Sequence, residues 1–350
     1  MLLQNRINAF VELGTFLSQF TRDSIEKSEA VLLNDLFFDA FLLQIKRAKE
    51  YNGWFTEDNI LYAFESWSNL LTENNLTNWT SQYSLISENK KVAVVMAGNI
   101  PLVGFHDFLS VLISGHDIQV KQSSNDKYFL PLIAKYLEDI ESAFKKKITF
   151  TEDKIDRFEA AIATGSNNTA RYFEYYFGKC PHIIRKNRNS IAVLTGNESD
   201  EELLGLGEDV FRYFGLGCRS VSKLFVPKDY DFDPLFKAVY NYKDIIHYKK
   251  YANNYDYNKA VYLMSEFKLL ENGFLMLKED SSYTSPIASL FYEYYDDISS
   301  LQRKLINEKE YIQCVVSNTI DHSVPFGKTQ QPTLTDYADG VDTMAFLSNL

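Results

Sequence analysis

Cysteine is scarce: Cys180, Cys218 and Cys314 are the three in 350 residues, widely spaced and odd in number. They make neither a disulfide framework nor a zinc pattern, and such usage suits a reducing compartment. Positive charge is also short, 36 Lys and Arg against 47 Asp and Glu, for a formal net charge of -11. That balance opposes nucleic-acid phosphates and anionic lipid, so nucleic acid is not expected as a partner. Long apolar runs are missing too. The first twenty residues carry Leu3, Ile7, Phe10, Val11, Leu17 and Phe20, but Asn5, Arg6, Asn8 and Glu12 interrupt them. They fail as a signal-peptide core or a membrane span, which makes a cytoplasmic protein the expectation and the sequons at Asn75, Asn78, Asn167 and Asn197 chance matches. No Gly-x-Gly-x-x-Gly fingerprint occurs. The five histidines, His106, His116, His182, His247 and His322, lack metal-ligand spacing; packing or surface roles come first for them, and no metal is expected.

What is present is enough hydrophobic residue, 45%, for the cores of two domains or one large one. Aromatics reach 15%; they could line an acyl tunnel, but core filling is the favoured reading. Residues 1–90 read as helices, with apolar positions three or four apart at Leu32, Leu36, Phe37, Ala40, Phe41 and again at Ile60, Ala63, Phe64, Trp67, Leu70, Leu71. From Val92 a continuous apolar strand opens an alternation of strands and helices through about residue 195, the pattern of a parallel sheet whose ligands sit beyond the carboxyl ends of its strands. A second such region runs to Val316, and the tail from Asn318 has little periodicity. The expected division is a helical region with a nucleotide-binding domain over 1–195, a catalytic domain over 196–318, and a C-terminal arm over 319–350 that wraps the fold or a partner subunit.

The stretch Gly215-Leu216-Gly217-Cys218-Arg219-Ser220-Val221-Ser222-Lys223-Leu224-Phe225-Val226 puts a cysteine in a glycine-flanked turn between a helical pattern and a strand. Backbone N–H groups there favour a thiolate, although most free cysteines are inert core residues. Ala97-Gly98-Asn99-Ile100-Pro101 follows the Val92 strand, where an Asn amide could donate to an oxyanion or simply make a turn. Val120-Lys121-Gln122-Ser123-Ser124 ends the next strand, and Ala163-Thr164-Gly165-Ser166 is a strand-to-helix loop of a kind that suits an anion or an ordinary cap.

In that order these segments resemble the aldehyde dehydrogenase superfamily. The resemblance implies an aldehyde-dehydrogenase-like α/β fold, Cys218 as nucleophile, Lys223 as the basic residue after it, and Asn99 sharing the oxyanion with the Cys218 N–H. It also implies cofactor contacts from Lys121, Ser123, Ser124, Gly165 and Ser166. Where NAD-preferring members carry Glu, Ser124 stands here; a carboxylate would repel a 2′-phosphate, so the expected cofactor is NADPH, with NADH the alternative. The segment Arg185-Lys186-Asn187-Arg188-Asn189-Ser190 falls where hydrolytic members place a general-base Glu, and it has no acid. A reductase acting on a thioester needs no activated water. Arg185 and Arg188 are candidates for coenzyme A phosphates or a solvated basic patch.

The tail from Pro325-Phe326-Gly327-Lys328-Thr329 through Asp339-Gly340-Val341-Asp342 is similar to the ends of LuxC-like acyl-CoA reductases. This implies NADPH-dependent reduction of an acyl-CoA to the aldehyde through a cysteine-bound acyl group, and makes the arm the candidate element for a homo-oligomer. The rivals are an aldehyde oxidiser and a catalytically silent binding or scaffold subunit. The acidic clusters Glu293, Asp296, Asp297 and Asp200, Glu201, Glu202 read as solvated faces or helix starts.

Overall fold

The apolar spacing of the first eighty residues folds into α1 (Leu3–Leu17), α2 (Asn34–Tyr51), α3 (Glu57–Leu70) and α4 (Glu73–Thr80), in a computed structural model that describes residues 1–85 and 88–350. Thr56 and Thr72 begin the last two, their hydroxyls accepting from the N–H groups of Asn59 and Asn75, caps that contribute about 1 kcal/mol each. Phe10, Phe16, Phe20, Phe41 and Phe64 are fully buried. Phe16 meets Phe41 edge-on at 4.9 Å between centroids and Tyr136 at 4.6 Å, so these aromatics fill a core, as the sequence reading favours.

The alternation that follows is β1 (Lys91–Val95), α5 (Phe105–Ser114), β2 (Asp117–Lys121), α6 (Phe129–Ile140), β3 (Ile148–Phe150), β4 (Ala160–Thr164), α7 (Asn167–Phe177) and β5 (His182–Arg185). The strands form a parallel sheet in the order β3-β2-β1-β4-β5. Val92 and Val94 of β1 point into the core shared with the N-terminal helices, while Ala93 joins Ala161, Ala163 and Phe177 on the other face. Burial on both faces explains why β1 reads as an unbroken apolar run.

Next come β6 (Asn189–Val193), α8 (Asp200–Phe211), β7 (Val221–Pro227), α9 (Asp233–Val239), α10 (Lys249–Met264), β8 (Leu269–Glu271), β9 (Met276–Glu279), β10 (Ser289–Tyr295), α11 (Ile298–Asn307) and β11 (Ile312–Val316). They build a second sheet, ordered β11-β6-β7-β10-β9-β8, parallel except where β8 meets β9. The strand near 191–195 therefore pairs in this sheet and not in the first. Ser199 and Glu202 close α8 with a reciprocal capping box, and Asp297 caps α11, the helix starts that their acidic runs suggest. Glu293 departs from the solvated-face reading: Lys223 Nζ donates to it at 2.6 Å, and Lys304 pairs with its other oxygen. Lys223 is wholly buried, and burial pushes its ammonium below the ordinary lysine value against the pull of Glu293.

By contacts the chain makes two compact units, Met1–Lys186 with Thr333–Leu350, and Asn187–Pro332. The tail is thus shared. Its last part, with α12 (Thr343–Ser348), docks on the first unit: Trp79 Nε1 donates to the Tyr337 hydroxyl at 2.7 Å, and His106 and His116 donate to the carbonyls of Leu334 and Leu347 at 3.0 and 2.9 Å. Both histidines are packing residues. Burial pushes each below its ordinary value. Among the described residues no helix is long and apolar enough to cross a membrane.

Candidate active site

In the first unit, β2 and β3 lie on one side of β1 and β4 and β5 on the other. The order reverses between β1 and β4, and the crevice beyond the carboxyl ends of such a pair is where open parallel sheets bind ligands. The loops holding Asn99, Lys121 to Ser124, and Gly165 with Ser166 all leave this sheet edge, after β1, β2 and β4.

Two of these loops are locked together. A Cβ on Gly98 would lie 2.6 Å from Ser123 Cβ, so only glycine permits the approach. Met96 N–H donates to the Lys121 carbonyl at 3.0 Å. Beyond Pro101, Leu102 takes a left-handed φ of 57°, and its N–H donates to Asp126 Oδ2 at 2.9 Å. Asn99 is half-buried between these anchors. Lys121 Nζ reaches the Asp153 carbonyl at 3.1 Å, while Ser124 is exposed. Ser166 caps α7, accepting from Thr169 N–H at 3.3 Å. Gly165 is held tight as well, since a Cβ there would come 2.9 Å from Phe173.

Asp126 escapes the sequence reading, because nothing local marks it. Burial pushes its carboxyl up to about 7, against the Leu102 N–H, which draws it down. The native state thus keeps a proton that the unfolded chain loses at lower pH; the stabilisation is full below the ordinary carboxylate range and is lost as pH rises through about 7. Asp126→Asn keeps an acceptor for Leu102 and removes the charge. Its melting temperature relative to wild type is expected to be higher at pH 8 than at pH 5 by at least about 2–4 °C, the shift that about 1 kcal/mol produces in a unit of this size, with part of the gain already present at pH 5 because that lies above the ordinary carboxylate range. Thermal denaturation at the two pH values checks this, and an equal difference at both would exclude the buried ionisation.

Arg185 corrects one expectation. It is 5% exposed, pairs with the Asp107 carboxylate, and donates to Thr343 Oγ1 at 2.8 Å, so it is not a surface ligand for coenzyme A phosphates. An acid is therefore close in space, though none is near in sequence; Asp107 is buried and committed to Arg185. Arg188 donates to the Lys309 carbonyl at 3.4 Å.

The second unit holds Cys218. After α8 the backbone turns left-handed at Tyr213, Phe214 and Gly215, with φ of 55°, 60° and 75°. The two aromatic residues cost on the order of 1–2 kcal/mol each in that conformation, offset by burial of both rings. The chain then makes a tight turn in which Ser220 N–H donates to the Gly217 carbonyl at 3.0 Å, with Cys218 and Arg219 at its corners. Ser190 Oγ of β6 donates to the Cys218 carbonyl at 3.0 Å. Cys218 is exposed, whereas Cys180 and Cys314 are half-buried, and burial pushes the Cys180 thiol up. Among the described residues no three His, Cys, Asp or Glu side chains are grouped to hold a metal.

The acyl-CoA reductase (LuxC) family pattern matches residues 43–235, more than half of the chain. No curated protein matches it in sequence. Among solved structures, aldehyde dehydrogenase 21 from Physcomitrella patens, in complex with the reaction product succinate, has a TM-score of 0.64 at 12% identity over 92% of this chain and 74% of that one. An aldehyde dehydrogenase from Mycobacterium tuberculosis complexed with NAD+ gives 0.62 at 11% identity over 92% and 74%. The NAD+ complex of an aldehyde dehydrogenase from Bacillus cereus gives 0.60 at 12% identity over 91% and 72%. At these identities the likeness establishes the fold, which is aldehyde-dehydrogenase-like.

Proposed function

The chain belongs to the acyl-CoA reductase (LuxC) family, and from that premise we propose that it reduces an acyl-CoA thioester to the aldehyde through an acyl group carried on Cys218, with NADPH as cofactor. The observation that carries the reading is the exposed thiol at the corner of a pinned turn, in a protein whose other two thiols are half-buried. The Cys218 thiolate attacks the thioester carbonyl; the new C–S bond forms, the old one breaks, and coenzyme A leaves as a thiolate that takes up a proton. The Cys218 N–H is the donor assigned to the developing oxyanion, and the family resemblance assigns the Asn99 amide a share in it. When bound, the nicotinamide supplies hydride to the acyl carbon. Cys218 is restored as the aldehyde departs. No carboxylate occurs in the stretch 185–190, and Asp107 is engaged with Arg185, which supports coenzyme A over water as the partner in acyl exchange.

The residues at the first sheet's carboxyl edge suit a dinucleotide: glycines at 98 and 165 where a side chain would collide, a helix start at Ser166, and the lysine and serines ending β2. Lys121, Ser123 and Ser124 are assigned to the adenosine ribose, and Gly165 and Ser166 to the pyrophosphate. Ser124→Glu is expected to erase or reverse a preference for NADPH over NADH, because its charge would oppose the 2′-phosphate. Lys121→Ala should weaken NADPH more than NADH. Parallel binding titrations of both cofactors check this, and equal losses would remove these side chains from the 2′ position.

The reading as a whole is tested by incubating the protein with NADPH and acyl-CoAs of graded chain length, following cofactor absorbance and released thiol together. Equal amounts of aldehyde, oxidised cofactor and coenzyme A are expected. Turnover of aldehyde with oxidised cofactor, independent of coenzyme A, would instead identify an aldehyde oxidiser. A soluble cytoplasmic enzyme, self-associating through the arm, completes the proposal.

A further inference from the structure

Asp209 lies on α8, nine residues before Cys218, and is 0% exposed. A buried carboxylate is costly, and a leucine of similar size would pack into this core with less penalty. What the carboxylate does here is hold the tail. Its Oδ2 accepts from Gly327 N–H at 2.7 Å, and its Oδ1 accepts from Thr329 N–H at 2.9 Å and Thr329 Oγ1 at 2.8 Å. The approach needs two glycines back to back. Gly327 has φ of 78°, and a Cβ on it would lie 3.1 Å from Gly205 Cα.

From this fixed strap the nucleophile turn is suspended. The Thr329 carbonyl accepts from Arg219 Nε, one residue after Cys218, and Gln330 Nε2 donates to Ser220 Oγ at 3.3 Å. On the opposite side Ser190 holds the Cys218 carbonyl. All three segments belong to the unit Asn187–Pro332.

We infer that Asp209 is a positioning residue for Cys218, acting through the 327–330 strap and its bonds to Arg219 and Ser220. The inference rests on the nucleophile reading above. Asparagine in place of Asp209 has nearly the same shape but turns an N–H donor toward a backbone N–H, so one anchor of the strap is lost while the core volume is kept. The turn then loosens, and misplacement of a nucleophile by about 1 Å costs up to about a hundredfold in rate.

The test uses the full chain carrying Cys180→Ala and Cys314→Ala, so that Cys218 is the one thiol. Single-turnover acylation by acyl-CoA and alkylation by iodoacetamide are measured per folded molecule. Asp209→Asn is expected to slow acylation by about ten- to a hundredfold with KM for the acyl-CoA within about twofold, and to change the alkylation rate. Thr329→Val should act in the same direction, and Thr329→Ser, which restores the hydroxyl, should recover most of the loss. If Asp209→Asn fails to fold, Thr329→Val and Arg219→Lys, which keeps the charge but not the Nε link, carry the test. Folded variants with the parent's acylation and alkylation rates overturn the inference and leave the nucleophile standing. No acyl group on Cys218 in the parent overturns the nucleophile reading itself.

Discussion

Cys218→Ala is expected to abolish acyl transfer and aldehyde formation together, with cofactor binding retained. The reason is chemical: the thiol is the atom to which the acyl group is bound, and alanine offers nothing to attack with. The residues assigned to the cofactor stand on loops of the first sheet, after β2 and β4, and do not depend on the side chain at 218. Cys180→Ala should remain active. Cys314→Ala should too, with a modest loss at most, since Cys314 Sγ lies 3.0 Å from the Ser190 hydroxyl that holds the Cys218 carbonyl. Steady-state assays with acyl-CoA and NADPH, paired with a cofactor titration, read both halves; full turnover by Cys218→Ala would end the account.

Asn99→Ala is expected to lower kcat by about two to three orders of magnitude with little change in KM, the usual loss for one preorganised donor that acts on charge developing in the transition state. The surrounding loop is anchored on both sides of Asn99. Gly98 abuts Ser123, and Leu102 is tied to Asp126. Asn99→Asp should fare as badly, because an ionised carboxylate accepts hydrogen bonds and cannot donate one. A rise in KM at constant kcat would assign Asn99 to substrate binding and not to the oxyanion.

Features governed by local pattern are legible in the sequence. The glycine-flanked turn around Cys218, the strand at Val92, the helices of the first eighty residues and the loops after β1, β2 and β4 are all readable from spacing, because periodicity and turn chemistry act over a few residues. The short edge strands β3 and β5, with three and four residues, are too brief to show a period. β6 follows β5 closely in sequence yet pairs in another sheet, a non-local choice no local pattern encodes. The same limit hides Asp126, Asp209 and the Asp107 partner of Arg185, whose roles depend on residues 24, 118 to 120 and 78 positions away. Glu293 looks like part of an exposed acidic run until the buried Lys223 is brought against it.

The most direct test of the central claim is peptide mass analysis after mixing the protein with an acyl-CoA in the absence of cofactor. The expected result is one acyl group, labile to hydroxylamine as a thioester is, on the peptide containing Cys218, and its release as aldehyde when NADPH is added. An acyl group on Cys180 or Cys314, or aldehyde formed with Cys218 unmodified throughout, would contradict it.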